Sequence, residues 1–426
     1  MSRKNSSPNQ LQKLKIGLIG GGSRGSSLQE LLLDMPDVEI VAVCELYKDR
    51  LKDMVERCTK KSRPAPSSYD SYIDLLDNVE DLDCVIVPTA WESHVPIAVA
   101  AMERGIPVAF EVGGAYSLDD CWQLVRVQEA SGTPCMMLEN CCYGRNEMAI
   151  LKLVKEGLFG EVVHCEGGYH HDLRQEICCG EENRHYRLRN FKARNGELYP
   201  THELGPIAKW LDINRGNRMV SLTATASKAR GLNAWAKEHK GADHPLATYP
   251  FNEGDIVTTV IKCANGETIV LTHDCSLHRP YSRGNVIQGT RGIYMEDKAA
   301  VSIQGITKSQ EGWDPETWEP LEKHWDTFEH PLWKKYQNAG VQGGHDGMDY
   351  LVMRAFLEAV RDGKPTPIDV YDAAAWMAIT PLSEASIARG SAPVEIPDFT
   401  NGLWVQERPV TKGTYCLDEI CEPGEL

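Results

Sequence analysis

In the first third of the chain, short apolar runs alternate with amphipathic stretches. Leu14 to Ile19, Val38 to Cys44, Asp83 to Val87, Pro107 to Phe110 and Pro134 to Leu138 have the continuous apolar character of strands buried on both faces. Ser26 to Asp34, His94 to Arg104 and Leu118 to Ala130 read as helices between them. Strand and helix in alternation predict a parallel, doubly wound sheet. Ligands of such sheets lie beyond the carboxyl ends of the strands, which singles out Thr89 to His94, Glu111-Val112 and Glu139-Asn140.

The pattern changes after Asn140. A helix over Glu147 to Glu156 is followed by strand-like runs at Val162 to Tyr169, Met219 to Ala224, Asp255 to Cys263 and Thr268 to Cys275. Several strands in succession predict an α+β domain, an open and mainly antiparallel sheet covered on one face by helices. Helices over Met348 to Arg361 and Tyr371 to Arg389 are expected to brace both domains. Leu321 to Val341 is rich in Trp, His and Lys, and carries too many aromatics for a solvated linker.

The first strand runs directly into Gly20-Gly21-Gly22-Ser23-Arg24-Gly25 and then into a helix. Gly20 permits the tight turn, Gly22 lets the backbone approach a pyrophosphate, and Gly25 lets helix and strand pack closely while the helix N-terminus faces the phosphate charge. The second strand ends at Glu45, where a carboxylate accepts bonds from the adenosine ribose hydroxyls, and an acid there favours NAD over NADP. Glycine-rich turns are common, so the flanking elements carry the weight. Together they predict the class α/β: a flexible start over residues 1–13, a Rossmann domain over 14–140 that holds NAD, and a substrate-binding α+β domain over 141–426.

Composition narrows the partners. The chain is 42% hydrophobic and 25% charged, as a folded, water-soluble protein is. Its formal net charge of −16 argues against nucleic acid, whose binding draws on clustered Lys and Arg. Met1 to Lys15 is polar, and no run approaches the ~20 apolar residues of a membrane span, so the expectations are a cytoplasmic location and no membrane partner. Fourteen cysteines, many of them in apolar runs such as those of Cys44, Cys84 and Cys135, read as reduced core thiols. The adjacent pairs Cys141-Cys142 and Cys178-Cys179 lack zinc-site spacing, and neighbouring histidines at His170-His171 point to opposite faces of a strand. No metal site is expected.

The order of parts resembles the Gfo/Idh/MocA oxidoreductase superfamily across nearly the whole chain. Trp91-Glu92-Ser93-His94, Met137-Leu138-Glu139-Asn140, Gly168-Tyr169, Leu198-Tyr199-Pro200-Thr201-His202 and Gly343-Gly344-His345-Asp346-Gly347-Met348-Asp349 narrow that resemblance to glycoside hydrolase family 109, the NAD-dependent α-N-acetylgalactosaminidases. The resemblance implies NAD contacts at Gly20, Gly22, Ser23, Arg24, Gly25, Glu45, Trp91 to His94 (with Glu92), Glu111, Val112 and Asn140. It implies sugar contacts at Tyr169, Arg187, Tyr199, Pro200, Thr201, His202 and Tyr281. The chain departs from it twice. Glu111-Val112-Gly113 stands where most dehydrogenases of the superfamily have Glu-Lys-Pro, so the lysine that assists a simple alcohol oxidation is absent; and Glu203 adds a carboxylate after the Thr-His pair, where small residues are usual.

No carboxylate pair of an ordinary glycosidase can be nominated from the sequence. The family's route is redox: oxidation of the sugar at C3, loss of the C2 proton, expulsion of the aglycone from C1, addition of water and return of the hydride. That route needs proton acceptors at the C3 hydroxyl and at C2, and donors for the enolate oxygen. His202 with Tyr199 is assigned to the C3 end, Tyr169 and Tyr281 to the C2 base or proton donor, and Arg187 to a hydroxyl or amide oxygen. His345 and Asp349 are read as part of a helix start capped by Asp346. A small glycoside is the expected partner and a homo-oligomer the expected assembly. The alternatives are a sugar or inositol dehydrogenase with net hydride transfer, and a catalytically silent NAD- or sugar-binding protein.

Overall fold

The computed structural model describes residues 13–308, 317–406, 412–424 and 426; apart from Lys13, the expected flexible start lies outside the described residues. Six strands, β1 (Leu14–Ile19), β2 (Val38–Cys44), β3 (Ser67–Tyr69), β4 (Cys84–Val87), β5 (Val108–Phe110) and β6 (Cys135–Met137), form one sheet in the order β3-β2-β1-β4-β5-β6. All its pairs are parallel. Helices α1 (Ser23–Asp34), α2 (Lys48–Lys60), α3 (Tyr72–Asn78), α4 (Trp91–Glu103) and α5 (Leu118–Ser131) cover it. Every residue of β4, β5 and β6 is buried, which explains why those strands read as continuous apolar runs.

The remaining strands are β7 (Val162–His170), β8 (Met219–Ala226), β9 (Val257–Cys263), β10 (Thr268–Asp274), β11 (Val286–Gly289), β12 (Gly292–Met295), β13 (Ala300–Ile303), β14 (Glu319–Pro320) and β15 (Val394–Glu395). They form a second sheet in the order β14-β13-β12-β11-β7-β10-β9-β8-β15. The sheet is mixed: β7 and β10 run parallel, and the other neighbours are antiparallel. Val257, Thr259, Ile261 and Cys263 of β9 are buried, while Val260 and Lys262 are exposed, the alternation of a sheet with one open face.

The second part also contains α6 (Arg145–Lys155), α7 (Arg174–Cys178), α8 (Arg187–Ala193), α9 (Thr201–Trp210), α10 (Gly231–His239), α11 (Trp325–Phe328), α12 (Pro331–Ala339), α13 (Met348–Asp362), α14 (Val370–Met377) and α15 (Ile379–Ala388). The single helix expected over Tyr371 to Arg389 is therefore two, divided at Ala378, with Pro381 in the first turn of α15 where a missing N–H costs little. The aromatic stretch after Leu321 is packed: Phe328, Leu332, Trp333 and Tyr336 are buried, and the Trp333 indole donates to the Tyr143 carbonyl at 2.8 Å. All cysteines are free thiols, and all but Cys179 and Cys421 are buried. The last segments bind back to the first: α14 packs on α5 and β6, and Tyr143 Oη donates to the Tyr415 carbonyl at 2.8 Å.

Candidate active site

The glycine turn has the shape a dinucleotide needs. Gly20 has φ +116°, and a Cβ on Gly25 would stand 2.2 Å from the Gly20 carbonyl oxygen, so both positions require glycine. A Cβ on Gly22 would meet nothing nearer than an Arg50 nitrogen at 3.9 Å, which leaves the approach to the turn open. Gly22 is also the N-cap of α1. No side chain caps that helix and no acid stands in its first turn, so its leading N–H groups suit a phosphate. Glu45 holds the turn itself: Oε2 accepts from Gly21 N at 2.7 Å and Oε1 from Tyr47 N at 3.1 Å. Beside Tyr47, a cavity of about 350 Å³ opens toward Arg184, His185, Arg189 and Lys192 of the second part.

Arg24, Glu111 and Asn140 come together although they follow three different strands. Arg24 Nε donates to Glu111 at 2.8 Å, and its two terminal nitrogens donate to Asp349 at 2.6 and 2.9 Å. Asn140 Nδ2 donates to the same Asp349 at 2.8 Å, and His345 Nδ1 lies 2.8 Å from it. The expected cap is not there: His345 and Asp346 both have positive φ, the N-cap of α13 is Gly347, and no side chain caps the helix. Asp349 instead spends its carboxylate on the groove.

Trp91 opens α4 and lies over Gly113, where a Cβ would come within 2.5 Å of the indole; the bulky ring fits because position 113 has no side chain. Val112 is buried. His94 is buried behind it with Nε2 3.1 Å from the Thr89 carbonyl, and burial lowers its pKa to about 4, so it is a neutral packing group. Ser23 begins α1. Glu92 faces away from this cluster and is ion-paired with Arg189.

The second cluster is built on His202, in the first turn of α9. Its Nδ1 lies 2.7 Å from Glu139 Oε1, and its Nε2 is 3.5 Å from the Tyr199 hydroxyl. Glu139 is fully buried; burial pushes its carboxyl up, but His202 outweighs that and holds it below the usual carboxylate range. An ionised Glu139 accepts a hydrogen bond from Nδ1–H, the tautomer that leaves the lone pair on Nε2. Tyr169 stands 4.5 Å from Tyr199 and 5.6 Å from His202 between ring centroids, and Tyr281 lies 6.4 Å from Tyr169. Pro200 is the N-cap of α9, and Thr201 is buried at its start.

Arg187 is caged by rings, its guanidinium carbon 4.8 Å from Tyr199, 5.1 Å from Trp91 and 5.8 Å from both Tyr169 and Tyr186. Its Nε is 2.8 Å from Glu176 but off the line of its N–H, and Nη1 has no partner among the described residues. The Trp91 indole N–H is likewise without one. Burial, the largest influence, raises the hydroxyls of Tyr169 and Tyr199 above the ordinary tyrosine value; Tyr281 is half exposed, and partial desolvation of its hydroxyl raises it in the same direction, so all three are neutral O–H groups.

Three residues of the site had no role in the sequence reading. In the sequence Glu139 stands at a strand end and in a family motif without a chemical role, Tyr186 carries no signal, and His171 reads as an improbable ligand; its Nδ1 lies 3.0 Å from the Tyr169 hydroxyl. Glu203 turns the other way from His202 and packs under Gly167, where a Cβ would sit 2.8 Å from its own. Neither of its oxygens has a partner among the described residues, and burial with Glu197 nearby raises its pKa well above the ordinary carboxyl value. Glu139, Cys141 and His202 bring one donor atom each within 4.8 Å, a spacing open to a metal. Burial holds the Cys141 thiol protonated and His202 already bonds Glu139, which favours acid–base use.

Comparison with known proteins follows the same division. The family model for the oxidoreductase family, NAD-binding Rossmann fold, matches residues 14–138, and that for the glycosyl hydrolase 109 C-terminal domain matches residues 143–406. The chain is 44% identical over 418 residues to an alpha-N-acetylgalactosaminidase of Tannerella forsythia, covering 93% of this chain and 88% of that one. It is 42% identical to a glycosyl hydrolase family 109 protein of Parabacteroides distasonis, covering 93% and 89%. Among solved structures it resembles a levoglucosan dehydrogenase in complex with NADH and levoglucosan, with TM-score 0.67 at 18% identity over 91% of this chain and all of that one, a likeness of fold.

Proposed function

The chain belongs to glycosyl hydrolase family 109, and from that premise we propose that it cleaves an N-acetylgalactosaminide or a related hexoside with NAD held on its glycine turn. When bound, NAD⁺ would supply a reversible hydride acceptor for sugar C3; the ketone stage would acidify the C2 proton, so that the C1 bond opens by elimination, water adds to the unsaturated ketone and the hydride returns with no net redox change. The residues that suit the nucleotide are the Gly20 to Gly25 turn with the start of α1, Glu45 and the Tyr47 cavity for the adenosine end, and Arg24, Glu111 and Asn140 toward the nicotinamide end.

The observation that carries the reading is the Glu139–His202 pair, Nδ1 to Oε1 2.7 Å, whose free Nε2 faces the tyrosines. His202 Nε2 accepts the C3 hydroxyl proton, and Glu139 stabilises the imidazolium that results. Tyr199 and Tyr281 present neutral hydroxyls for the leaving oxygen and the enolate, and Arg187 Nη1 supplies a fixed charge to a hydroxyl or amide oxygen. His171 Nδ1, 3.0 Å from the Tyr169 hydroxyl, accepts that hydroxyl's proton as the tyrosine oxygen takes the proton from C2. Position 112 holds Val, so no lysine there assists net alcohol oxidation.

The test is turnover of an aryl α-N-acetylgalactosaminide with sub-stoichiometric NAD. Aglycone is released with no net change in absorbance at about 340 nm. Stoichiometric NADH from a free sugar overturns the reading in favour of a dehydrogenase. We also propose a cytoplasmic enzyme with reduced thiols, and a homo-oligomer formed through the open face of the second sheet, where Val260 is exposed. Light scattering of the purified protein reports the assembly.

A further inference from the structure

We infer that Asp349, which lies outside the Rossmann segment, is the positioning residue of the cofactor groove: its carboxylate fixes the Arg24 guanidinium and the Asn140 amide in the orientations in which they meet NAD. The inference rests on the reading that NAD lies along the glycine turn. Arg24 stands in the first turn of α1, Glu111 follows β5 and Asn140 follows β6, all at the edge of the sheet where ligands bind. Glu111 holds Arg24 at one point, but the group that joins Arg24 to Asn140 lies in none of these segments. The Asp349 side chain, only 4% exposed, joins them from the first turn of α13, 325 positions after Arg24.

The chemistry of the contacts gives the argument its direction. A carboxylate only accepts, so Asn140 must offer it Nδ2, and Oδ1 is turned to the other side, where among the described residues the weak Cys141 thiol donor reaches it at 3.5 Å. Were residue 349 an amide, Asn140 would be free to flip and present a donor where it now presents an acceptor. Arg24 is held at two points by Asp349 and at a third by Glu111, three bonds that fix the plane of its fork next to the glycine turn. Burial pushes the Asp349 carboxyl up, yet His345 and Arg24 hold it far below the usual range, so it stays an acceptor at every working pH. A carboxylate in the first turn of a helix is also favoured by the helix dipole.

The experiment is calorimetric titration of NAD⁺ into nucleotide-stripped wild type, Asp349→Asn, His345→Gln and Asp37→Asn, with melting of each free protein in parallel. Asp37 pairs with Arg354 and Arg361 of the same helix α13, away from the groove, and controls for loosening of that helix. Asp349→Asn is expected to weaken NAD⁺ roughly tenfold or more, the scale of a charged hydrogen bond lost. His345→Gln should weaken it less, and Asp37→Asn not at all. If Asp349→Asn binds NAD⁺ as wild type does, or loses no more affinity than Asp37→Asn, the inference is wrong. Should that variant not fold, Asp349→Glu keeps the charge on a longer arm; it is expected to lose affinity as well, and parity with wild type overturns the inference equally. A wild type that takes up no NAD⁺ sinks the glycine-turn reading along with it, whereas normal uptake with parity of the variants sinks the inference alone.

Discussion

The two halves of the cleft treat buried polar groups in opposite ways. On the cofactor side Arg24, Glu111, Asn140 and Asp349 satisfy one another and Glu45 bonds the backbone of the turn, so the groove is ordered by the chain itself. On the sugar side Arg187 Nη1 is buried with no partner among the described residues, and Glu197, Glu203 and His273 are also incompletely bonded. Leaving a buried polar atom unpaired costs about 1–3 kcal/mol. The cofactor half is therefore a stable scaffold, and the sugar half carries a strain that a polyhydroxylated ligand relieves where it reaches. Substitutions in the first should reduce stability, and substitutions in the second should reduce turnover.

The sharpest separation comes from His202→Asn, which keeps a donor for Glu139 but loses the Nε2 base, and is expected to lower kcat by about 10³-fold while the melting temperature holds. A parallel fall in melting temperature breaks the contrast. Arg24→Met should do the converse, leaving Asp349 and Glu111 as facing buried acids and destabilising the NAD-free protein by about 3 kcal/mol in denaturant titration. Arg187→Lys keeps the charge but loses the planar fork, and kcat/KM should drop roughly tenfold. Glu197 gives a pH signature. Burial pushes its carboxyl up to about 8 from 4.5, so its contribution is complete at acid pH and is lost as pH rises from about 4.5 to about 8. The slope is at most about 1.4 kcal/mol per pH unit, and Glu197→Gln should remove it from the pH dependence of unfolding. The smallest effect runs upward: Glu203→Met exchanges an unbonded carboxyl for an apolar chain and should stabilise the protein by about 1 kcal/mol. A loss of stability there means that Glu203 has partners inside the protein.

The Rossmann half was legible because its signals are local. Apolar runs, the glycine turn and Glu45 lie within one short stretch, and each strand carries its own burial pattern. The short strands β11 to β15 were not read, since two to four residues are too few to show a period; β3, Ser67–Tyr69, is polar and at the sheet edge. In the site, the residue types of His202, the tyrosines and Arg187 came from a resemblance, and their convergence is a matter of tertiary structure. Glu139 shows the limit most clearly. Nothing near it in the sequence indicates that it will face a histidine 63 positions later, and only the meeting of β6 with the start of α9 reveals it. His345 and Asp346 misled for a physical reason: both adopt left-handed backbone, so the helix starts later than the polar residues suggest.

The Arg24–Asp349 contact also has a bearing on biosynthesis. The segment with the glycine turn is synthesised 325 positions ahead of the residue that completes its groove. The nascent Rossmann segment can pair its strands early, but until residue 349 has emerged its groove lacks the carboxylate that orders Arg24 and Asn140, so a nascent chain should hold the dinucleotide less tightly than the folded protein does.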